Sequence, residues 1–116
     1  MCRENLHVYS GNDDQIIPIL SLGGLGVISV LSNVAPKYTH EMVINYLNRK
    51  IIEAQDMQLD AIYLIKALFS EVNPIPVKAA LNMLGYNAGI PRLPLIEMSE
   101  KGKEKLEKEL KKFELL

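Results

Sequence analysis

The residues of this chain that could do chemistry are few and scattered. Asp13 and Asp14 stand side by side after a short apolar run and could act as an acid pair. Adjacent aspartates in that position more often cap the helix that follows and complement its dipole, so capping is the expected role. Lys66, Lys78 and the lysines of the last fifteen residues offer amines for Schiff-base formation, which needs an amine held in a closed pocket. Lys66 and the terminal lysines fall on amphipathic or solvated helices, and a lone enzyme working through Asp13, Asp14 or Lys78 is not expected. His7 and His40 are isolated, and Tyr9 and Tyr38 have no partner that spacing identifies. The single cysteine, Cys2, excludes an internal disulfide, and two histidines without a second thiol make no typical structural zinc site. Neither a metal nor any other cofactor is expected.

The elements that must position these groups follow from apolar spacing. Leu6–Ser10 reads as a strand that stops at Gly11-Asn12-Asp13-Asp14, and Asp13–Leu22 reads as a short helix closed by Gly23-Gly24. Gly26–Leu31 is a nearly continuous β-branched run, the pattern of a strand covered on both faces. Strand, helix and strand with short connections predict a parallel pair joined by a crossover, which makes the class α/β. Helices then dominate. Thr39–Arg49 and Ile51–Phe69 carry apolar stripes, the second through Ala54, Met57, Ala61, Leu64, Ile65 and Leu68. Asn73-Pro74-Ile75-Pro76 predicts a rigid elbow opening a helix that runs to Leu84. Ser99 is placed to cap a last helix with Leu106, Leu110 and Phe113 on its inner stripe. On its outer face Glu104–Lys108 and Glu107–Lys111 pairs are expected.

Composition bounds the function. With 116 residues, 48% hydrophobic, 23% charged and a net charge of −1, the chain is ordinary globular material. Its 13 basic and 14 acidic residues interleave, which argues against a nucleic-acid or anionic-membrane surface. No apolar run approaches the ~18 residues of a membrane span, so the expected compartment is the cytoplasm.

Three segments read together resemble one family. They are Tyr9-Ser10-Gly11-Asn12-Asp13-Asp14; Leu22-Gly23-Gly24-Leu25-Gly26-Val27-Ile28-Ser29-Val30 with Ser32-Asn33-Val34; and Asn73-Pro74-Ile75-Pro76-Val77-Lys78 followed by Arg92-Leu93-Pro94-Leu95. In this order they resemble the carboxy-terminal part of the dihydrodipicolinate synthases, which condense pyruvate with aspartate semialdehyde in lysine biosynthesis. Related pyruvate-dependent aldolases of the N-acetylneuraminate lyase type match less closely. The resemblance implies the last two strands and helices of a (β/α)8 TIM barrel followed by a helical carboxy-terminal domain. Residues 6–10 would be the seventh strand, 26–30 the eighth and 38–50 the eighth helix, so that 1–50 end the barrel and 51–116 form the appendage. A complete barrel takes ~250 residues, so the chain is expected to be a fragment of a longer coding sequence, or one part of a barrel completed by an amino-terminal half.

The resemblance also implies which chemistry is missing. The family's Schiff-base lysine lies in a segment like Ile-Lys-Glu-Ala on the sixth strand, and no such segment occurs here. Its proton-relay tyrosine, its threonine pair and its substrate arginine have no counterparts either. The implied substrate-binding residues are Ile28, against bound pyruvate, and Gly11, at the same mouth; an ordinary strand isoleucine and a turn glycine are the competing readings. Lys78 would start a helix away from that mouth, in a packing or surface role. Implied partners are pyruvate within a complete barrel, and an amino-terminal half or further copies of the chain. A non-catalytic helical interaction module is the reading from another class. The stretch from about Thr39 to Leu116 is expected to be the more autonomous part, and the two strands, with Val8, Val27 and Val30 facing a missing interior, the less stable.

Overall fold

The computed structural model describes residues 5–116; Cys2 lies outside them. In chain order the elements are β1 (Tyr9–Ser10), a 3₁₀ turn (Asp13–Gln15), α1 (Ile16–Ser21), β2 (Gly26–Val27), α2 (Leu31–Val34), α3 (Pro36–Leu47), α4 (Ile51–Leu68), α5 (Ile75–Met83) and α6 (Glu100–Lys112). The expected parallel pair is present, with Tyr9 opposite Gly26 and Ser10 opposite Val27. Helix α1 stops where expected. Gly23 adopts φ +94°, and the amides of Gly23 and Gly24 close back onto the carbonyls of Leu20 and Ile19 at 3.0 and 2.9 Å. That is a Schellman ending, which uses the left-handed backbone that glycine adopts without penalty.

The second strand is shorter than its β-branched run predicts. Extended pairing ends just past Val27, with Ile28 N–H donating to the Ser10 carbonyl at 2.9 Å, and by Leu31 the chain is helical. Polar side chains redirect it. Ser29 Oγ accepts from the Ser32 amide at 2.8 Å, and Ser32 Oγ and Asn33 Nδ2 donate back to the Ser29 carbonyl. These local bonds give the backbone an alternative to the ladder. Consequently Val27 and Val30 are half-buried against the core, and Val8 is exposed.

One buried apolar cluster runs through the molecule, from Ile16, Leu20 and Leu31 through Met42, Ala54, Leu64 and Leu68 to Leu106 and Leu110. Helix α4 contributes more of these residues than any other element. Its partner α3 starts at Pro36, earlier than the periodicity predicts, because proline suits the first turn of a helix. The last helix begins as read: Ser99 Oγ accepts from the Gly102 amide at 3.1 Å and donates to Glu71 at 2.5 Å. Of the two expected surface pairs, Glu107–Lys111 closes at 2.6 Å, whereas Glu104–Lys108 does not form among the described residues.

Tyr38 ties three helices together. Its hydroxyl donates to the Met57 carbonyl at 2.8 Å, and its ring meets Phe113 edge-on with centroids 4.6 Å apart. Burial, then the negative charge of Asp60, push its phenol up to about 12 from the ordinary 10.0. A raised folded-state value means that the protonated phenol is the form the fold prefers. Its contribution is complete below pH 10 and is lost as pH rises through about 12. Base titration followed by circular dichroism should therefore show a stability loss in that window that Tyr38→Phe removes.

Candidate functional site

The site residues expected from the sequence lie just past the carboxyl ends of β1 and β2. Ser10 Oγ donates to the Asn12 carbonyl at 2.7 Å and accepts from the Asn12 amide at 3.2 Å, folding the chain sharply past Gly11. A Cβ on Gly11 would meet nothing within 4 Å, so its surroundings are open. Gly11 and Ile28 are the residues that directly follow the last paired positions, Ser10 and Val27. The Ile28 side chain is 78% exposed. The two residues named from the sequence thus share one end of the sheet, and both face open space.

Beneath them is a buried polar network. Asp13 is 1% exposed, and its carboxylate accepts from Ser29 Oγ and from the amides of Val30 and Leu31 at 2.9 and 3.0 Å. The capping role expected of Asp13 is therefore exercised on a different helix. It serves the start of α2 across the sheet rather than the helix that follows it in sequence, which has no side-chain cap. Asp14 stays exposed, so the two carboxylates do not form an acid pair. From the other side, Gln58 of α4 donates through Nε2 to the Asp13 carbonyl at 2.9 Å. Its Oε1 accepts from the Ile17 amide at 3.1 Å, and the residue is 7% exposed.

Gln58 was not singled out by the sequence reading. The signal was present: it falls four residues after Ala54 and three before Ala61, on the apolar face of α4. A polar residue inside such a stripe must find partners when buried, and here it finds two backbone groups.

A cavity of about 190 Å³ adjoins this network, lined by Asn12, Asp13, Asp14, Ile65, Lys66 and Phe69. A shallower groove of about 280 Å³ lies between β2 and α3, with Tyr9, Ser29 and His40 on its walls. Lys78 belongs to neither. Its ammonium donates to the carbonyls of Ala88 and Ile90 at 2.8 and 3.3 Å. Asn82 makes a reciprocal pair with the same loop, donating to the Gly89 carbonyl and accepting from the Ala88 amide. Lys78 is thus a fastener of the 88–90 loop, in keeping with a packing role. Among the described residues no group of three potential metal ligands converges, and no helix is long and apolar enough to cross a membrane.

Parallel strands with backbone turns past their carboxyl ends, backed by helices, are the arrangement of an α/β fold of barrel or doubly wound type. Comparison with known proteins narrows that class. The Dihydrodipicolinate synthetase family profile matches residues 1–113, and the chain belongs to this family. It is 58% identical over 110 residues to the 4-hydroxy-tetrahydrodipicolinate synthase of Caldicellulosiruptor bescii, covering 95% of this chain and 37% of that protein. With the same enzyme of Thermoanaerobacter pseudethanolicus it shares 58% over 113 residues, 97% of this chain and 38% of that one. The crystal structure of dihydrodipicolinate synthase from Thermotoga maritima superposes with a TM-score of 0.95 at 46% identity, covering 98% of this chain and 39% of that one. The chain therefore spans about two fifths of the length of these relatives.

Proposed function

We propose that these residues form the carboxy-terminal wall of the pocket of a pyruvate-dependent Schiff-base lyase of the dihydrodipicolinate synthase type, and are catalytically silent by themselves. In this reading residues 1–50 close a (β/α)8 barrel and 51–116 form its helical appendage. What supports the proposal is that Gly11 and Ile28 each follow the last paired residue of a strand in a parallel pair, in a chain of this family. Active sites of barrels gather at that end.

The division of labour follows from the residue inventory. A lysine amine elsewhere in the barrel attacks the pyruvate ketone and expels water to give an iminium. Loss of a methyl proton then makes the enamine that adds to aspartate semialdehyde. Nothing in this chain supplies that amine: Lys78 is engaged by carbonyls, and Lys66 is exposed on α4. Gly11 leaves room for the bound keto acid, and Ile28 presents an apolar side chain to it, limiting water at the iminium. Open edges on β1 and β2, together with the exposed Leu6, Val8, Leu25 and Ile28, fit a sheet that continues into further strands of an amino-terminal half. In this reading the assembled enzyme works in the cytoplasm.

Borohydride reduction in the presence of pyruvate tests this. The chain is co-expressed with the remaining amino-terminal part of the Caldicellulosiruptor bescii enzyme, and adducts are located by mass spectrometry. The expected result is a reduced pyruvate adduct on the amino-terminal partner and none on this chain, with or without the partner. An adduct on Lys66 or Lys78, or none in the mixture, overturns the proposal.

A further inference from the structure

We infer that Gln58 is a positioning residue that couples the helical appendage to the pocket wall, acting through Asp13 on the Ile28–Leu31 turn. This rests on the reading of Ile28 as a wall residue for its functional consequence, but the coupling itself stands on geometry alone.

Four links make the chain of contacts. Gln58 Oε1 and Nε2 are both used, on the Ile17 amide and the Asp13 carbonyl, so the amide group is fixed in orientation as well as place. Those two backbone groups bracket the 3₁₀ turn over Asp13–Gln15, whose path is thereby set from α4. The turn in turn aims the Asp13 carboxylate, which holds Ser29, Val30 and Leu31. Ile28 is the next residue back, pinned on its other side by the bond from its amide to the Ser10 carbonyl. No buried side-chain polar atom among the described residues is left without a partner, so the network has no slack member. A fully satisfied buried network rigidifies what it holds, and removal of one member is felt by the rest.

A polar residue at this point of α4 answers the buried Ile17 amide and Asp13 carbonyl, which an apolar side chain would leave without this partner. Its neighbours Ala54, Ala61 and Ile65 are buried and apolar, and methionine would fill the same volume. Glutamine there leaves two backbone groups of the wall dependent on a helix more than forty residues away in sequence.

Amide hydrogen exchange on the full 116-residue chain tests the coupling, with the amides of α6 as a control for global unfolding. Gln58→Met should speed exchange of Val30 and Leu31 by tenfold or more relative to α6, although the Gln58 side chain hydrogen-bonds to neither. Gln58→Leu, which likewise lacks both the acceptor for Ile17 and the donor for Asp13, should do the same. Unchanged protection of Val30 and Leu31 in either variant overturns the coupling. In the co-expressed enzyme Gln58→Met should raise KM for pyruvate about fivefold with kcat within twofold; an equal fall in kcat would instead mark a merely structural role. Failure of pyruvate trapping in the unmutated mixture sinks the functional reading alone, because the exchange measurement needs no activity.

Discussion

Replacing Asp13 with alanine is expected to lower the stability of the chain by about 3–4 kcal/mol, the largest effect of any polar substitution in it. The magnitude follows from what is left behind. The carboxylate accepts three hydrogen bonds, two from backbone amides at the start of α2, and it is 1% exposed. A hydrogen bond to a charged group contributes about 1.5–3 kcal/mol net, and a donor stranded without a partner costs about 1–3. These are not additive, because water can reach the half-buried Ser29 and Val30 once the carboxylate is gone. Asp14→Ala, one residue on and exposed, should change stability by no more than about 0.5 kcal/mol. Urea unfolding followed by far-ultraviolet circular dichroism measures both; a loss of under about 1 kcal/mol for Asp13→Ala would remove the network from the account of how the wall is held.

The second large effect belongs to the apolar core. Leu106 is wholly buried on the inner stripe of α6, in the cluster that includes Leu64 and Leu68 of α4. Truncation to alanine removes the transfer energy of its lost carbons and leaves a cavity, together about 2–5 kcal/mol. For a chain of this size each kcal/mol shifts Tm by roughly 4–8 °C, so a fall of about 10 °C or more is expected in a thermal melt. Lys108→Ala on the solvated face of the same helix should shift it by less than a third of that. Equal shifts for the two variants would mean that α6 is not held through its stripe.

Much of the architecture was legible because its causes are local. The end of α1 at Gly23-Gly24, the Ser99 cap and the stripe of α4 each depend on residues within one or two turns of each other, where spacing carries the information. The length of β2 was not legible. Gly26–Leu31 has the composition of a longer strand, and the local bonds of Ser29, Ser32 and Asn33 that end it are joined by a carboxylate from Asp13, 16 to 18 residues earlier. The same distance turned the expected cap into a cap of another helix. Gln58 was hidden for a related reason: on α4 it reads as one more polar helix residue, and only its partners, 41 and 45 residues away, give it a role. Gly11 and Ile28 were reached by resemblance rather than by chemistry, since neither side chain carries a reactive group.

The Gln58 bonds also have a temporal side. Closing them requires α4 to be docked against the turn after β1, and the entropy of closing so long a loop is met only when most of the core is in place. An interaction formed after the folding transition state leaves the rate of folding nearly unchanged and sets the rate of unfolding. Formed in that order, the bonds of one amide side chain on a distant helix would govern how long the turn after Ile28 survives, and hardly at all how quickly it forms.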